Sequence, residues 1–218
     1  GKPLFITPPT LEFRQDGKTS TIAFTDARIT SRHAGRVGFW LRGNTSEFEA
    51  SVDGVVEFDG LVRFRLKVVP KNGGCRVDDM VLRYRLGDAQ FFNTLDPKVD
   101  SQWGEVRDLQ LMTPHYLWVG SDFKGLNWVT ENYKGWKVDS RLPRAAIADR
   151  GDGAEVSLFL VNKPARITAP LDCEMAFHPT PVRNNDRLKW RGTRPICMGA
   201  WTPEPCNLTM IHPNQYGD

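Results

Sequence analysis

Apolar side chains recur at every second position along much of the chain, the spacing of a strand that turns one face to a core and the other to water. Val62, Phe64, Leu66 and Val68 interleave with Arg63, Arg65 and Lys67. Met80, Leu82, Tyr84 and Leu86 follow, with Arg83 and Arg85 between them over the second half of the run. The intervening Pro70-Lys71-Asn72-Gly73-Gly74 combines a hairpin-type Asn-Gly pair with a proline that interrupts a ladder, so the two runs are expected to neighbour each other in one antiparallel sheet. Ile22 and Phe24 begin another strand and Val37-Gly38-Phe39-Trp40-Leu41 a further one. Phe48, Ala50 and Val52 run into Asp53-Gly54, and Val56 and Phe58 continue toward Asp59-Gly60, which reads as a meander with short turns. Alternation returns at Val156, Leu158 and Leu160 and again at Leu171, Cys173, Met175 and Phe177. Many short strands punctuated by Gly, Pro and Asn predict an all-β fold, a two-sheet antiparallel β-sandwich.

Helical signals are weak. Residues 139–151 contain Pro143 and close on Asp149-Arg150-Gly151-Asp152-Gly153, which reads as a connection of at most one or two turns. From about Asn184 the alternation is lost, and Trp190, Pro195, Trp201, Pro203, Pro205 and Pro213 stand among polar residues. That change places a boundary near residues 185–195, with a β-sandwich over 1–190 and a linker, or the start of a following domain, over 191–218.

Composition narrows the partners. With 218 residues, 40% of them hydrophobic and 25% charged, the chain can bury a core. Its 29 Lys and Arg are scattered among 26 Asp and Glu, so no nucleic-acid footprint is expected. Without a run of 18 apolar residues, no membrane-spanning helix is expected either. Cys75 and Cys173 read as buried free thiols, whereas Cys197 and Cys206 flank Pro203 and Pro205 and have the offset of a loop-stapling disulfide. No CxxC pair supports zinc. His33, His115, His178 and His212 form no local metal box, and neither a nucleophile elbow nor a Walker loop accompanies them, so no metal or cofactor is expected.

The densest aromatic stretch runs from Tyr116 to Trp136 and reads as a strand, a Ser121-Asp122-Phe123-Lys124 turn and a second strand. Leu126, Trp128 and Thr130 share one face, while Asn127, Val129 and Glu131 share the other. Trp118 and Trp128 are expected to pack across the hairpin as core, leaving Trp136, after Gly135, as the exposed one. Glu131, between Trp128 and Trp136 and three residues from Lys134, has the chemistry to accept sugar hydroxyls or to form an ion pair. Trp136, Glu131, Asp122 and Lys134 are therefore the candidates for contact with a substrate or a neighbouring domain. A conventional glycosidase needs two carboxyl groups across the scissile bond. The one adjacent acidic pair, Asp78-Asp79, sits at a strand entry where charged turn residues are ordinary, and no catalytic residue is assigned.

Trp118, Gly120, Gly125, Leu126, Trp128, Glu131, Gly135 and Trp136 match a run that resembles one in the N-terminal domains of proteins similar to glycoside hydrolase family 123. Phe177-His178-Pro179-Thr180-Pro181-Val182-Arg183 is similar to the Thr-Pro-Val-Lys-Pro segment closing that domain, with Asn184 at the second proline position. Asp59-Gly60-Leu61-Val62-Arg63 resembles a Tyr-Asp-Gly strand start of the family, with Phe58 replacing the tyrosine. The resemblance spans residues 20–190. It implies a modular protein whose β-sandwich, as large as a galactose-mutarotase-like supersandwich, precedes a (β/α)8 barrel. There an adjacent Asp-Glu pair serves substrate-assisted hydrolysis of N-acetylgalactosaminides. Asn207 to Asn214 resembles the approach to that barrel's first strand. On this implication the chain is a non-catalytic accessory domain of a secreted or periplasmic bacterial protein, supporting the barrel in cis and shaping its cleft. The alternative is an autonomous carbohydrate-binding module that takes a glycan on residues 116–136.

Overall fold

A computed structural model describes residues 3–96, 98–99 and 102–180. The expected 191–218 linker, the Cys197–Cys206 pair, His212 and the 185–195 boundary lie outside the described residues. In chain order the strands are β1 (Phe5–Gln15), β2 (Lys18–Ile22), β3 (Phe24–His33), β4 (Arg36–Asn44), β5 (Phe48–Glu57), β6 (Val62–Pro70), β7 (Cys75–Val77), β8 (Asp79–Gly87) and β9 (Phe91–Thr94). They continue as β10 (Trp103–Glu105), β11 (Leu109–Leu111), β12 (Tyr116–Gly120), β13 (Gly125–Val129), β14 (Ala145–Asp149), β15 (Gly153–Val161), β16 (Ala165–Ile167) and β17 (Leu171–Thr180).

These strands form the expected all-β, two-sheet antiparallel sandwich, with no helix among the described residues. One sheet has the order β11-β14-β15-β8-β1-β2; the other is nine-stranded, β10-β9-β12-β13-β17-β6-β5-β4-β3. A two-stranded ladder, β16-β7, lies beside them. Alternation delivers the core from both sides: Leu11, Phe13, Met80, Leu82 and Tyr84 from the six-stranded sheet meet Phe48, Leu66, Val68, Leu117 and Trp128 from the nine-stranded one. The Phe13 and Phe48 rings meet edge to face with centroids 5.0 Å apart, and Tyr84 and Phe177 do so at 5.3 Å. Each such fully buried side chain contributes about 1.5–3 kcal/mol of burial free energy.

The pairing of β6 with β8 is corrected by this topology. β6 lies between β5 and β17, whereas β8 lies between β1 and β15 in the opposite sheet. Asn72, Gly73 and Gly74 do have positive φ (50°, 76° and 109°), but the turn they make carries the chain from one sheet to the other through β7. Alternation reports that a strand has an apolar face and not which strand lies beside it; both runs face one core from opposite sides. The proposed break at Asp53-Gly54 is also absent, because β5 runs straight through it. Gly54 is there because the Phe39 ring occupies the space of a side chain, 2.4 Å from where a Cβ would stand. The turn comes at Asp59-Gly60, where Gly60 has φ +93° and Leu61 N–H is accepted by Asp59 Oδ1 at 3.1 Å. Residues 145–149, expected in a connection, form β14 at full sheet pairing with β15.

Candidate functional site

The β12–β13 hairpin divides its aromatics between the two faces of the nine-stranded sheet. Ser121 N–H donates to Lys124 C=O at 2.7 Å, and this four-residue turn sets Gly120 opposite Gly125. Trp118 then stands opposite Asn127, and Trp128 opposite Leu117. Opposed residues share a face, so Trp118 and Trp128 lie on opposite faces and the expected Trp118–Trp128 contact does not form. Trp128 is fully buried in the core. Trp118 lies on the outer face along a floor of two glycines: a Cβ on Gly125 would stand 2.6 Å from its Nε1 and Cε2, and one on Gly120 2.8 Å from its Cζ2. Its indole N–H donates to Thr180 Oγ1 at 3.0 Å, which pins the ring to β17.

Trp136 is not the exposed member; only 9% of its surface is accessible. After the turn at Gly135 (φ +85°) the chain folds back inward, because Trp136 packs against Tyr133 (centroids 5.2 Å) and Trp128 (6.3 Å). Tyr133 donates its hydroxyl to Pro114 C=O, and the Arg144 guanidinium lies 4.1 Å over its ring. Burial pushes the Tyr133 phenol well above its ordinary range, with Arg144 acting in the opposite direction. This cluster accounts for Trp128, Gly135 and Trp136 as structural residues.

The four candidate contact residues do not converge. Glu131, exposed on the outer face, borders an open hollow of about 480 Å³ lined also by Asp53, Arg63, Arg65 and Glu174. Arg65 is taken up by a two-pronged pair with Asp172 (2.5 and 2.7 Å), and Arg63 by Glu57 at 2.7 Å. Lys134 is exposed in the following turn, where its backbone N–H donates to Asn132 Oδ1 at 2.8 Å. Asp53, Glu131 and Glu174 are all exposed. The Asp78-Asp79 pair has structural partners: Asp78 Oδ2 accepts Gly17 N–H at 3.1 Å and Asp79 pairs with Arg14 at 2.5 Å. Cys75 and Cys173 are buried free thiols as expected, and burial pushes the Cys173 thiol up to about 12, which keeps it unreactive. Among the described residues, no His, Cys, Asp and Glu side chains group to hold a metal ion, and no helix is long and apolar enough to cross a membrane.

Asp122 belongs to a different place, an open hollow of about 470 Å³ lined by Phe91, Trp103, Trp118, Ser121 and Asp122. Asn93 stands between the two tryptophans, opposite Trp103 on one side and Trp118 on the other. Phe91, Asn93 and Trp103 lie on short strands outside the aromatic segment, and only the β10-β9-β12 register aligns them with Trp118. Trp103, 70% accessible, was the residue sequence reasoning passed over; an aromatic flanked by polar residues at 102 and 105 was its one local signal.

Residues 1–136 match the family model described as "Glycoside hydrolase 123, third domain". The match ends at Trp136, yet the sheets close only with β14 to β17, so the folded unit extends past it. Third differs from the N-terminal position implied by the resemblance; in both, this is one domain of a multidomain family. No curated protein matches the chain. Among solved structures, a candidate aldose 1-epimerase from Escherichia coli K12 is similar at 7% identity over 77% of this chain and 78% of that one, with a TM-score of 0.41. The Slr1438 protein from Synechocystis sp. PCC 6803 is similar at 8% identity over 77% of this chain and 72% of its own, also with a TM-score of 0.41. On the strength of the family match, which covers more than half its residues, the chain belongs to the glycoside hydrolase 123 third-domain family.

Proposed function

We propose that the chain is a non-catalytic accessory domain of a glycoside hydrolase that supports a (β/α)8 catalytic barrel in cis and borders its substrate cleft. The match of residues 1–136 to a domain of this family carries the reading. The exposure of Glu131, Glu174 and Asp53 around an open hollow supports its non-catalytic part. An export route to the periplasm or medium belongs to the same proposal and rests on the family resemblance.

Trp136 is buried, so the docking surface has to be sought elsewhere. On the core-side face of the nine-stranded sheet, Ile29, Phe39, Gly54 and Phe64 stand in one cross-strand row, followed by Val37, Val56 and Val62 in the next. Toward β3 this face emerges from the core: Ile29 is 50% and Phe58 69% accessible. An apolar surface of this kind suits a neighbouring domain. The test is enzymatic first. The purified chain is expected to leave an aryl N-acetylhexosaminide intact, and hydrolysis that disappears in Glu131→Gln overturns the accessory reading. For docking, Ile29→Asp with Phe58→Asp is expected to weaken association with a separately produced catalytic domain by about tenfold or more, while the melting temperature of this domain stays within a few degrees.

A further inference from the structure

The outer face of the nine-stranded sheet carries a second surface that the accessory role does not use. Trp103, Asn93 and Trp118 form one straight cross-strand row over β10, β9 and β12, with Phe91 in the adjoining row and Ser121 and Asp122 at the hairpin end. Two features distinguish it from scattered surface hydrophobics. The Trp118 ring is fixed in advance, laid on Gly120 and Gly125 and held by its N–H bond to Thr180, so a ligand meets a flat π surface at little ordering cost. The side chains between and beside the rings are short hydrogen-bonding groups, an amide, a hydroxyl and a carboxylate, and both tryptophans border the same hollow. Aromatic faces combined with a few placed polar groups are the composition of a small-ligand site.

We propose that this shelf binds an extended β-1,4-linked glycan, stacking pyranose rings on Trp103 and Trp118 while Asn93 and Asp122 bond their hydroxyls. A pyranose offers a patch of C–H bonds on each face, which packs on the electron-rich face of an indole, and a rim of hydroxyls that need partners. In a β-1,4-linked chain each ring is flipped relative to the last, so rings i and i+2 present the same face, two ring lengths apart. Such a chain runs as an extended ribbon that can follow the cross-strand row from Trp103 past Asn93 to Trp118, whose two rings border the same hollow. Asp122 is exposed and can accept two hydroxyl bonds in the bidentate manner of a carboxylate. The proposal deepens the accessory reading by giving the domain a substrate-holding surface.

Titration of the chain with cellotetraose, with the tetramer of β-1,4-linked N-acetylglucosamine and with the two monosaccharides, followed by tryptophan fluorescence and calorimetry, tests it. A saturable response to at least one tetramer is expected, about tenfold or more tighter than to its monosaccharide, because two stacked rings are engaged. Trp103→Ala is expected to lose about tenfold or more of that affinity and Asp122→Asn a smaller factor, with melting temperature unchanged in both. No saturable response to either tetramer at millimolar concentration, equal affinity for tetramer and monosaccharide, or full binding by Trp103→Ala would each overturn the proposal. So would shelf variants that leave glycan binding untouched and weaken association with the catalytic domain, since the shelf would then be a protein interface. None of these outcomes bears on hydrolysis by the chain, the result that decides the accessory reading.

Discussion

Two aromatic groups lie on opposite faces of the same sheet and each takes one tryptophan from the same hairpin, yet they do different work. On the inner face Trp128 and Trp136 are buried and close on Tyr133, over which Arg144 lies. On the outer face Phe91, Trp103 and Trp118 stand side by side over an open hollow. The inner group buries large rings without partners for all their polar atoms: the indole nitrogens of Trp128 and Trp136 make no hydrogen bond among the described residues. The outer group keeps its polar atoms partnered or exposed. A cluster of tryptophans in a sugar-handling family is therefore no sign of a binding site until the register assigns each ring to a face.

The largest expected effect breaks the inner group. Trp128→Ala removes a fully buried indole and is expected to cost about 3–5 kcal/mol, enough to abolish cooperative thermal unfolding in a marginal domain, whereas Trp103→Ala is expected to stay within about 0.5 kcal/mol of the parent. Equal losses from the two would mean that the shelf is part of the core. Gly125→Ala comes next, because it attacks the floor of the outer group alone. The added Cβ stands 2.6 Å from the Trp118 ring, so the ring must lift. A loss of about 1–3 kcal/mol and a changed near-ultraviolet circular dichroism signal are expected; an unchanged spectrum would show that the ring does not lie where the glycines allow it.

Tyr84→Phe tests the other half of the comparison, the toleration of orphan polar atoms by the core. The Tyr84 hydroxyl is buried with no hydrogen-bond partner among the described residues, its phenol is pushed far above the ordinary range by burial, and its ring packs edge-on to Phe5 and Phe177. Removing the oxygen keeps those ring contacts and removes a desolvated donor. A gain of about 1 kcal/mol is expected, read as a rise of about 2–4 °C in melting temperature. A fall instead would show that the hydroxyl has a partner and that the core satisfies its polar atoms after all.

The strands were legible in the sequence where one face is wet, as in Val62–Val68, Leu171–Phe177 and the hairpin at 116–129, because alternation is a direct imprint of half-burial. Partners were not legible. β6 and β8 read as a hairpin because both flank Asn72-Gly73, although a turn signal says only that the chain bends. β1 was hidden by Pro8-Pro9, which the sheet absorbs as register shifts between Thr7 and Thr10, and β14 by Pro143 and its alanines. At the site, the sequence offered Asp122 as a contact candidate in a turn, but Asn93 and Trp103 come from separate strands, and no local spacing predicts cross-strand rows. Trp136 was misread for the opposite reason. Gly135 marks a bend correctly, and only tertiary packing decides that the bend returns inward.

The smallest expected effect concerns the loop that lays Arg144 over the inner group. Asp139 accepts hydrogen bonds from Arg141 N–H and Nε–H (3.0 and 3.1 Å) and from Lys163 at 3.0 Å. Asn162 ties the same loop by donating to the carbonyls of Asp139, Leu142 and Pro143 at 3.0–3.2 Å. Arg141, then Lys163, hold the Asp139 carboxyl well below the usual carboxylate range. A folded-state pKa depressed below the unfolded value of about 3.9 stabilises the fold above that pH, and the contribution is lost as pH falls through the interval toward the folded value. Asp139→Asn is therefore expected to unfold at a slightly lower temperature than the parent at neutral pH, with the difference shrinking below about pH 4. Because Arg144 sits on Tyr133, the change should appear in the near-ultraviolet signal of the Tyr133–Trp136 group while glycan titration of the shelf stays as in the parent. A constant offset at every pH would detach the carboxylate from the inner group, and a shelf that weakened along with it would mean that the two faces of the sheet are coupled.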